Sequence, residues 1–341
     1  MAEKLDINID EKINLAHGDG GVDTQGLIRN LFYQYFDEPL SNSMPDSFVF
    51  EAGQHKLAFT TDSFVVKPLF FRGGNIGKLA VCGTINDLAT AGARPLFLSA
   101  GFIIEEGFSM EKLHLIAKSM SDICQETGAK IVTGDTKVVE RGNVDGLFIN
   151  TSGIGIVSDN YHPQQAEPGD EIIITGGIGE HGTSILLARY DLGMETKLTS
   201  DCAPMSFLIN GLGEHLKHVK LMKDPTRGGI ATSLNEIAAE QALEVELNEK
   251  AIPVKSEVDA IGDILGIDPL YLASEGRMLI VAEKGWGEKM LHQIKALDYC
   301  GEAQIIGRFT SGHQGMVSMK TLIGGKRIVP ILEGQMLPRI C

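Results

Sequence analysis

The sequence is poor in positive charge. Among 341 residues it has 30 Lys and Arg against 45 Asp and Glu, a formal net charge of −15. Nucleic acid is not an expected partner, because a phosphate backbone is bound through clustered Lys and Arg. An acidic protein that handles an anionic nucleotide has to bridge the repulsion with Mg²⁺. Long apolar runs are missing too. None approaches the roughly 20 residues of a membrane span. The opening Met1-Ala2-Glu3-Lys4-Leu5-Asp6 lacks the apolar centre of a signal peptide. No membrane association is expected. Cysteine is scarce, with five residues at 82, 124, 202, 300 and 341 and no CxxC pair. An odd, scattered set indicates neither a disulfide framework nor a zinc site, and a reducing cytoplasm fits it best. Cys82, Cys124, Cys202 and Cys300 read as small, partly buried filler. A P-loop is also absent. Gly73-Gly74-Asn75-Ile76-Gly77-Lys78-Leu79 misses the GxxxxGK[ST] spacing and puts Leu79 where a Mg²⁺-binding hydroxyl belongs.

Glycine, by contrast, is abundant at 40 residues, which suits loops whose backbone approaches a ligand closely. An apolar content of 43% is enough for full cores, and the length suggests about two domains. Residues 1–42 read as a polar arm. Its stretch from Gly26 to Phe36 is amphipathic, with Leu27, Leu31 and Tyr35 at helical spacing, and the loop His17-Gly18-Asp19-Gly20-Gly21 precedes it. A first α/β domain spans 43–158. Its pattern predicts a hairpin of Phe48–Glu51 and Leu57–Phe64, a helix Ile76–Ala91 closed by Gly92, and a strand Pro95–Glu105. A helix Met110–Thr127 follows, capped by Ser109 and ended by Gly128, then strands Lys130–Thr133 and Leu147–Val157. Helices lie between strands rather than after each one, so a mixed or antiparallel sheet with helices on one face is expected. Residues 158–169 read as a linker. A second α/β domain spans 170–312. Strands are expected at Glu171–Thr175, Arg277–Ala282 and Ala303–Phe309, and helices at Thr183–Tyr190, Ala203–Leu216, Gly228–Glu240 and Trp286–Leu297. Residues 313–341 hold a small hairpin turning at Gly324-Gly325 and then a tail.

Carboxylates follow strand ends or glycine turns through the first domain. They are Asp62 in Thr60-Thr61-Asp62-Ser63, Asp87 beside Asn86 on the helix after the glycine loop, and Asp135 in Thr133-Gly134-Asp135-Thr136-Lys137. Aspartates at strand ends can converge on one sheet face and hold a Mg-nucleotide, since Mg²⁺ takes one or two carboxylates with phosphate and water. Singly, each is an ordinary cap or turn former. In the second domain Gly177-Ile178-Gly179-Glu180-His181-Gly182 follows a strand and opens a helix, as a dinucleotide loop does. Asp201 lies near the distance of the expected ribose ligand, but in no convincing strand. A plain anion site at a helix N-terminus is the better reading. Lys223-Asp224-Pro225-Thr226-Arg227-Gly228-Gly229 opens another helix, where Asp224 caps or ligates and Arg227 can fork onto phosphate. Glu275, in Ala273-Ser274-Glu275-Gly276-Arg277, is either a general base or a solvated turn glutamate.

The sequence ends on Pro338-Arg339-Ile340-Cys341. The residues after the last strand-like run, near Val329, reach at most roughly 40 Å when extended. That is enough to carry a thiol from a docking surface into an active site. Together with Thr60–Ser63, Gly83-Thr84-Ile85-Asn86-Asp87-Leu88, Gly134–Val138, Asp224–Gly229 and Ser274–Arg277, this ending resembles the HypE family of hydrogenase maturation proteins over nearly the whole chain. The aspartate loops are shared with the wider superfamily of aminoimidazole ribonucleotide synthetase and selenophosphate synthetase. The final Pro-Arg-Ile-Cys is highly specific to the HypE family. The resemblance implies the two-domain aminoimidazole ribonucleotide synthetase-like α/β fold, dimerising through the first domain's sheet with ATP bound near that interface. It implies an ATP-dependent carbamoyl dehydratase. Cys341 would receive a carbamoyl group from the carbamoyltransferase HypF. The thiocarboxamide would be dehydrated to a thiocyanate, and the cyano group passed to iron on a HypC–HypD scaffold. The implied Mg-ATP ligands are Asp62, Asp87 and Asp135, with Asp19 as a further candidate. Asn86, Asp224 and Arg227 would face the nucleotide, Lys137 would neutralise charge on the transferring phosphoryl group or the amide oxygen, and Glu275 would deprotonate the amide nitrogen. Three alternatives stay open: an ATP-using enzyme of the same superfamily acting on a free small molecule, a NAD(P)-dependent oxidoreductase built on 177–182, and a non-catalytic cysteine-tailed carrier.

Overall fold

Buried Ala58, Thr60 and Phe64 alternate with exposed Phe59, Thr61 and Ser63 along one strand, and this period of two organises the first half of the molecule. The computed structural model describes residues 12–18, 21–36, 45–190, 195–332 and 339–341. After α1 (Val22–Asn30), β1 (Phe48–Ala52) and β2 (His55–Phe64) form the expected hairpin. A two-residue ladder, β3 (Phe70–Phe71) with β4 (Gly74–Asn75), leads into α2 (Ile76–Thr90), β5 (Ala93–Glu105), α3 (Met110–Thr127), β6 (Lys130–Val139) and β7 (Leu147–Val157). The sheet order is β1-β2-β7-β5-β6, antiparallel except where β5 and β6 run parallel. It is the mixed sheet the element order predicts. The bounds of α3 follow from its caps. The Ser109 hydroxyl accepts the Lys112 amide, and Gly128 ends the helix at φ 76, a left-handed conformation open to glycine. α2 and α3 cover one face, burying Phe64, Leu79, Ile85, Leu98, Ile116 and Ile149. Each such side chain contributes about 1.5–3 kcal/mol. The other face leaves Phe48, Phe59 and Phe97 exposed.

Two expectations for this half need correcting. The N-terminal helix runs Val22–Asn30 rather than from Gly26 to Phe36, and a 3₁₀ turn at Phe32–Gln34 follows it. β6 does not stop at Thr133. A Cβ at position 134 would stand 2.3 Å from the Ala100 carbonyl oxygen, so Gly134 lets the ladder with β5 continue. Asp135 and Lys137 therefore lie inside a strand, not in a loop beyond its end.

The second half comprises β8 (Glu171–Ile174), α4 (Glu180–Arg189), α5 (Phe207–Leu212), β9 (Val219–Lys223), α6 (Gly229–Gln241), β10 (Glu244–Asn248) and α7 (Ser256–Leu265). β11 (Leu279–Ala282), α8 (Gly287–Ile294), β12 (Gln304–Thr310), β13 (Val317–Lys320) and β14 (Lys326–Ile328) follow. Its sheet has the order β14-β13-β10-β12-β8-β11-β9. Both faces are covered. Ile172 and Ile174 pack with Ile230 and Leu234 of α6, while Ile173 packs with Leu208 of α5 and Met290 of α8. An unbroken apolar run is what a strand buried on both sides requires. The sequence pattern passes over β9, β10 and α7. The helix expected over Ala203–Leu216 is reduced to α5 and a 3₁₀ turn at Gly213–His218. Its first residues are not helical, and there the Met205 amide donates to the Asn86 side chain at 2.7 Å. The hairpin β13–β14, read in sequence as the start of the tail, completes this sheet. Among the described residues no helix is long and apolar enough to cross a membrane.

Candidate active site

The inner face of β2 and one end of α2 bring Asp62 and Asp87 together. The Thr60 hydroxyl lies 2.9 Å from Asp87 Oδ2 and 2.7 Å from the Asp46 carbonyl, tying β2, α2 and the start of β1 to one point. From the second half, the turn before α6 adds Asp224, Thr226 and Arg227, and the loop before β11 adds Glu275. These groups and Cys341 line one cavity of about 170 Å³. The Glu275 loop is held from three sides. Asp201 Oδ1 accepts the Glu275 amide at 3.1 Å, Asn86 donates to the Glu275 carbonyl at 3.1 Å, and the Gly179 amide donates to Ser274 Oγ at 3.0 Å. Glycine is required at 276, because a Cβ there would meet the Asp201 carbonyl oxygen at 1.9 Å.

The cavity concentrates more carboxylates than cations. Burial pushes the carboxyls of Asp62 and Asp87 above their usual range, and for Asp87 the charges of Asp224, Asp46 and Asp62 add to the effect. Asp224 is pushed up to about 7, by burial and then by Asp46. Glu275 is pushed well up by burial and by surrounding acids, and its Oε1 is buried without a hydrogen-bond partner. Arg227 is the cation among them; Cys341 and the acids raise its proton affinity. Such a cluster favours a cation or proton donor. Among the described residues no three acidic, His or Cys side chains enclose a metal by themselves. The donors fit an ion such as Mg²⁺ that takes one or two carboxylates and completes its shell with phosphate and water.

Residues 339–341 bring Cys341 to this cavity as a short antiparallel addition to the chain beyond β2. The Val65 amide donates to the Cys341 carbonyl at 3.0 Å and the Lys67 amide to the Arg339 carbonyl at 3.2 Å. The Arg339 side chain donates to the Val65 carbonyl at 2.8 Å and to Asp145 Oδ2 at 2.7 Å. Two side chains of α4 complete the seat. His181 binds the Ile340 carbonyl, and Arg189 donates to the carbonyls of Arg339 and Lys67. The Cys341 side chain is buried, and burial pushes its thiol pKa up although Arg227 pulls the other way.

Of the residues singled out in sequence, Asp62, Asp87, Asp224, Arg227, Glu275 and Cys341 meet here. Asp135 and Lys137 do not. Asp62 is in register with Thr151, Ala100 and Gly134, whereas Asp135 is in register with Gly101, Asn150 and Ser63, which puts it on the opposite face. There Asp135 pairs with Lys137 at 2.7 Å, and both are exposed. Asn86 does not face the cavity as a nucleotide ligand would, since its amide is consumed by Ala203, Met205 and Glu275. Asp19 lies outside the described residues. The Gly177–Gly182 loop offers no open anion site. Glu180 fills it, bonded to Lys255 at 3.0 Å and Arg277 at 3.4 Å, and Asp201 supports the Glu275 loop rather than a ribose. Sequence reasoning missed Asp46, Asp145, His181 and Arg189. Only Asp46, between Pro45 and Ser47 at a strand start, carries a local turn signal.

Residues 45–157 match the family described as AIR synthase related protein, N-terminal domain, and residues 167–320 match its C-terminal domain. The carbamoyl dehydratase HypE of Rhizobium leguminosarum bv. viciae is 45% identical, an alignment that covers 99% of this chain and 97% of that protein. A solved HypE–HypF complex is similar at a TM-score of 0.84 and 44% identity, covering 90% of this chain and 99% of that one. A solved hydrogenase maturation protein HypE in complex with ATP is similar at 0.81 and 40% identity, covering 97% and 100%. With both halves matched and that identity held from end to end, the chain belongs to the HypE family of carbamoyl dehydratases.

Proposed function

We propose that the chain uses ATP to dehydrate an S-carbamoyl group on Cys341 to a thiocyanate, which supplies the cyanide ligand for maturation of a [NiFe] hydrogenase. The observation that carries this reading is the Cys341 thiol lying in the cavity that also holds Glu275, Asp62, Asp87 and Arg227. A primary amide does not release its oxygen as hydroxide. Transfer of the terminal phosphoryl group of ATP to the carbamoyl oxygen, with loss of one N–H proton, gives an imidate phosphate and ADP. Removal of the second N–H proton then expels inorganic phosphate as the C–O bond breaks, leaving S–C≡N. The first step asks mainly for positioning and charge neutralisation. Asp62 and Asp87 are the carboxylates we assign to the Mg²⁺ that accompanies ATP; when bound, that ion offsets phosphate charge. Arg227 faces the phosphates from the turn before α6, and Asp224 completes that phosphate-facing loop. Glu275 takes the nitrogen proton, a role suited by its raised proton affinity and free Oε1.

Loading of the thiol belongs to the undocked tail, because nucleophilic attack needs the thiolate and burial in the docked state opposes it. The HypF complex of the solved relative supports a HypF carbamoyltransferase as the donor, and the ATP complex supports the nucleotide. Delivery of the cyano group to a HypC–HypD scaffold, in the cytoplasm, completes the reading. The exposed Phe48, Phe59 and Phe97 on the outer face of the first sheet support a homodimer formed through it. Asp135 and Lys137 lie on that face, so they reach a nucleotide only across such a dimer. The test is stoichiometric. Protein loaded through the transferase and given Mg-ATP should form one ADP per thiocyanate, and Cys341→Ala should form none. Undiminished ADP formation by Cys341→Ala on a free small molecule would select a sister activity of the superfamily instead.

A further inference from the structure

The glycine loop of 177–182, which the Glu180 side chain fills, carries a residue with a different task. His181 sits wholly buried in the first turn of α4, with the Phe71 ring perpendicular to it at 5.3 Å between centroids. Both ring nitrogens are engaged. Nε2 is 2.8 Å from the Ile340 carbonyl oxygen and Nδ1 is 2.8 Å from Ser200 Oγ. A carbonyl only accepts, so Nε2 carries the proton and Nδ1 accepts from the Ser200 hydroxyl. Ser200 Oγ accepts the Cys202 amide in turn, at 3.0 Å, which fixes the hydroxyl. Burial keeps the imidazole neutral, with its pKa lowered to about 4.

The same turn of α4 holds the Glu275 loop. The Gly179 amide donates to Ser274 Oγ and the Gly182 amide donates to the Ala273 carbonyl, each at 3.0 Å. One rigid turn therefore grips the residue before Cys341 on one side and the residues before Glu275 on the other. Building on the dehydratase reading above, we propose that His181 is a positioning residue: it locks the tail through the Ile340 carbonyl and so sets the cargo on Cys341 against Glu275, touching no reacting atom itself. It reads backbone, not side chain, and it acts only while the tail is docked. Loading of Cys341 by the transferase does not depend on it, whereas dehydration does.

The test uses the full chain in three variants. His181→Phe keeps a ring and removes both hydrogen bonds. His181→Gln restores a donor toward Ile340. Ser200→Ala leaves the bond to Ile340 in place and removes the one that orients the ring, along with the acceptor of the Cys202 amide. Alkylation of Cys341 by iodoacetamide, read from the mass of the C-terminal peptide, reports tail docking without any enzymology. His181→Phe should alkylate about 10-fold faster than the wild type, the effect of one buried hydrogen bond on an equilibrium. It should dehydrate the loaded thiol slower by about the same factor, and accept carbamoyl at least as fast. His181→Gln should stay within about 3-fold of the wild type, and Ser200→Ala should fall between the two. Wild-type alkylation in both His181→Phe and Ser200→Ala overturns the proposal. So does equal slowing of loading and dehydration, or a Gln variant as impaired as Phe. If the wild type itself removes no water, the dehydratase reading fails, while the alkylation difference still decides the docking role.

Discussion

The two faces of the first sheet carry the same kind of group in opposite settings. On the inner face Asp62 is half-buried beside Asp87, and burial pushes both carboxyls up. On the outer face Asp135 is exposed, and the hydrogen bond from Lys137 holds its carboxyl down. The inner pair is left for a ligand to neutralise, while the outer pair is already neutralised by its own neighbour. Unsatisfied charge under helices is costly and is retained where a cation and phosphate come to rest. A satisfied ion pair in water contributes little to stability.

The contrast can be broken at four points. Glu275→Gln should slow dehydration by about 10²–10⁴-fold, the usual weight of a general base, while equilibrium binding of ATP stays within about 3-fold. Unchanged turnover removes Glu275 from the mechanism. His181 comes next. Its folded pKa of about 4 lies below the ordinary 6.5, so its contribution is intact above about 6.5 and is lost as pH falls towards 4. Over that window the wild type should lose up to about 3 kcal/mol relative to His181→Gln, which chemical denaturation at pH 7 and pH 4.5 would detect. Asp87→Asn should abolish ATP turnover yet stabilise the nucleotide-free protein. The folded pKa of Asp87 is raised, so its stabilising share is present below the unfolded pKa and lost as pH rises through the folded value. The midpoint should therefore rise by about 2–4 °C at pH 8, the shift made by about 1 kcal/mol in a domain of 150–250 residues, and the gain should shrink towards pH 4. An unchanged or lower midpoint at pH 8 would mean the inner carboxylates are not repelling one another. The smallest effect is expected outside. Asp135→Ala with Lys137→Ala should leave the thermal midpoint where it is. A matching loss of turnover would place the outer pair in the site across a dimer, and full turnover would take both residues out of it.

What could be read in advance was local. α3 follows from Ser109, its apolar spacing and Gly128, all within one segment. The hairpin of β1 and β2 follows from alternation around Gly53. The final cysteine and the Asp224–Gly229 turn point to chemistry by their composition. What could not be read depends on partners far along the chain. Whether Asp62 or Asp135 faces the helices is set by register between strands, and a shift of one residue reverses it. Asn86 stands beside Asp87 and looks like a ligand, but its bonds go to residues 117, 119 and 189 positions away. His181 gives no local sign of its task, because the carbonyl it binds is 159 positions further on.

The function rests on one conversion at one atom, the Cys341 sulfur. Wild-type protein loaded through the transferase should be given Mg-ATP, digested, and its C-terminal peptide weighed. The peptide carrying Cys341 should lose the mass of one water only when ATP is present. A carbamoylated peptide that keeps its mass with ATP, or loses water equally without it, contradicts the account.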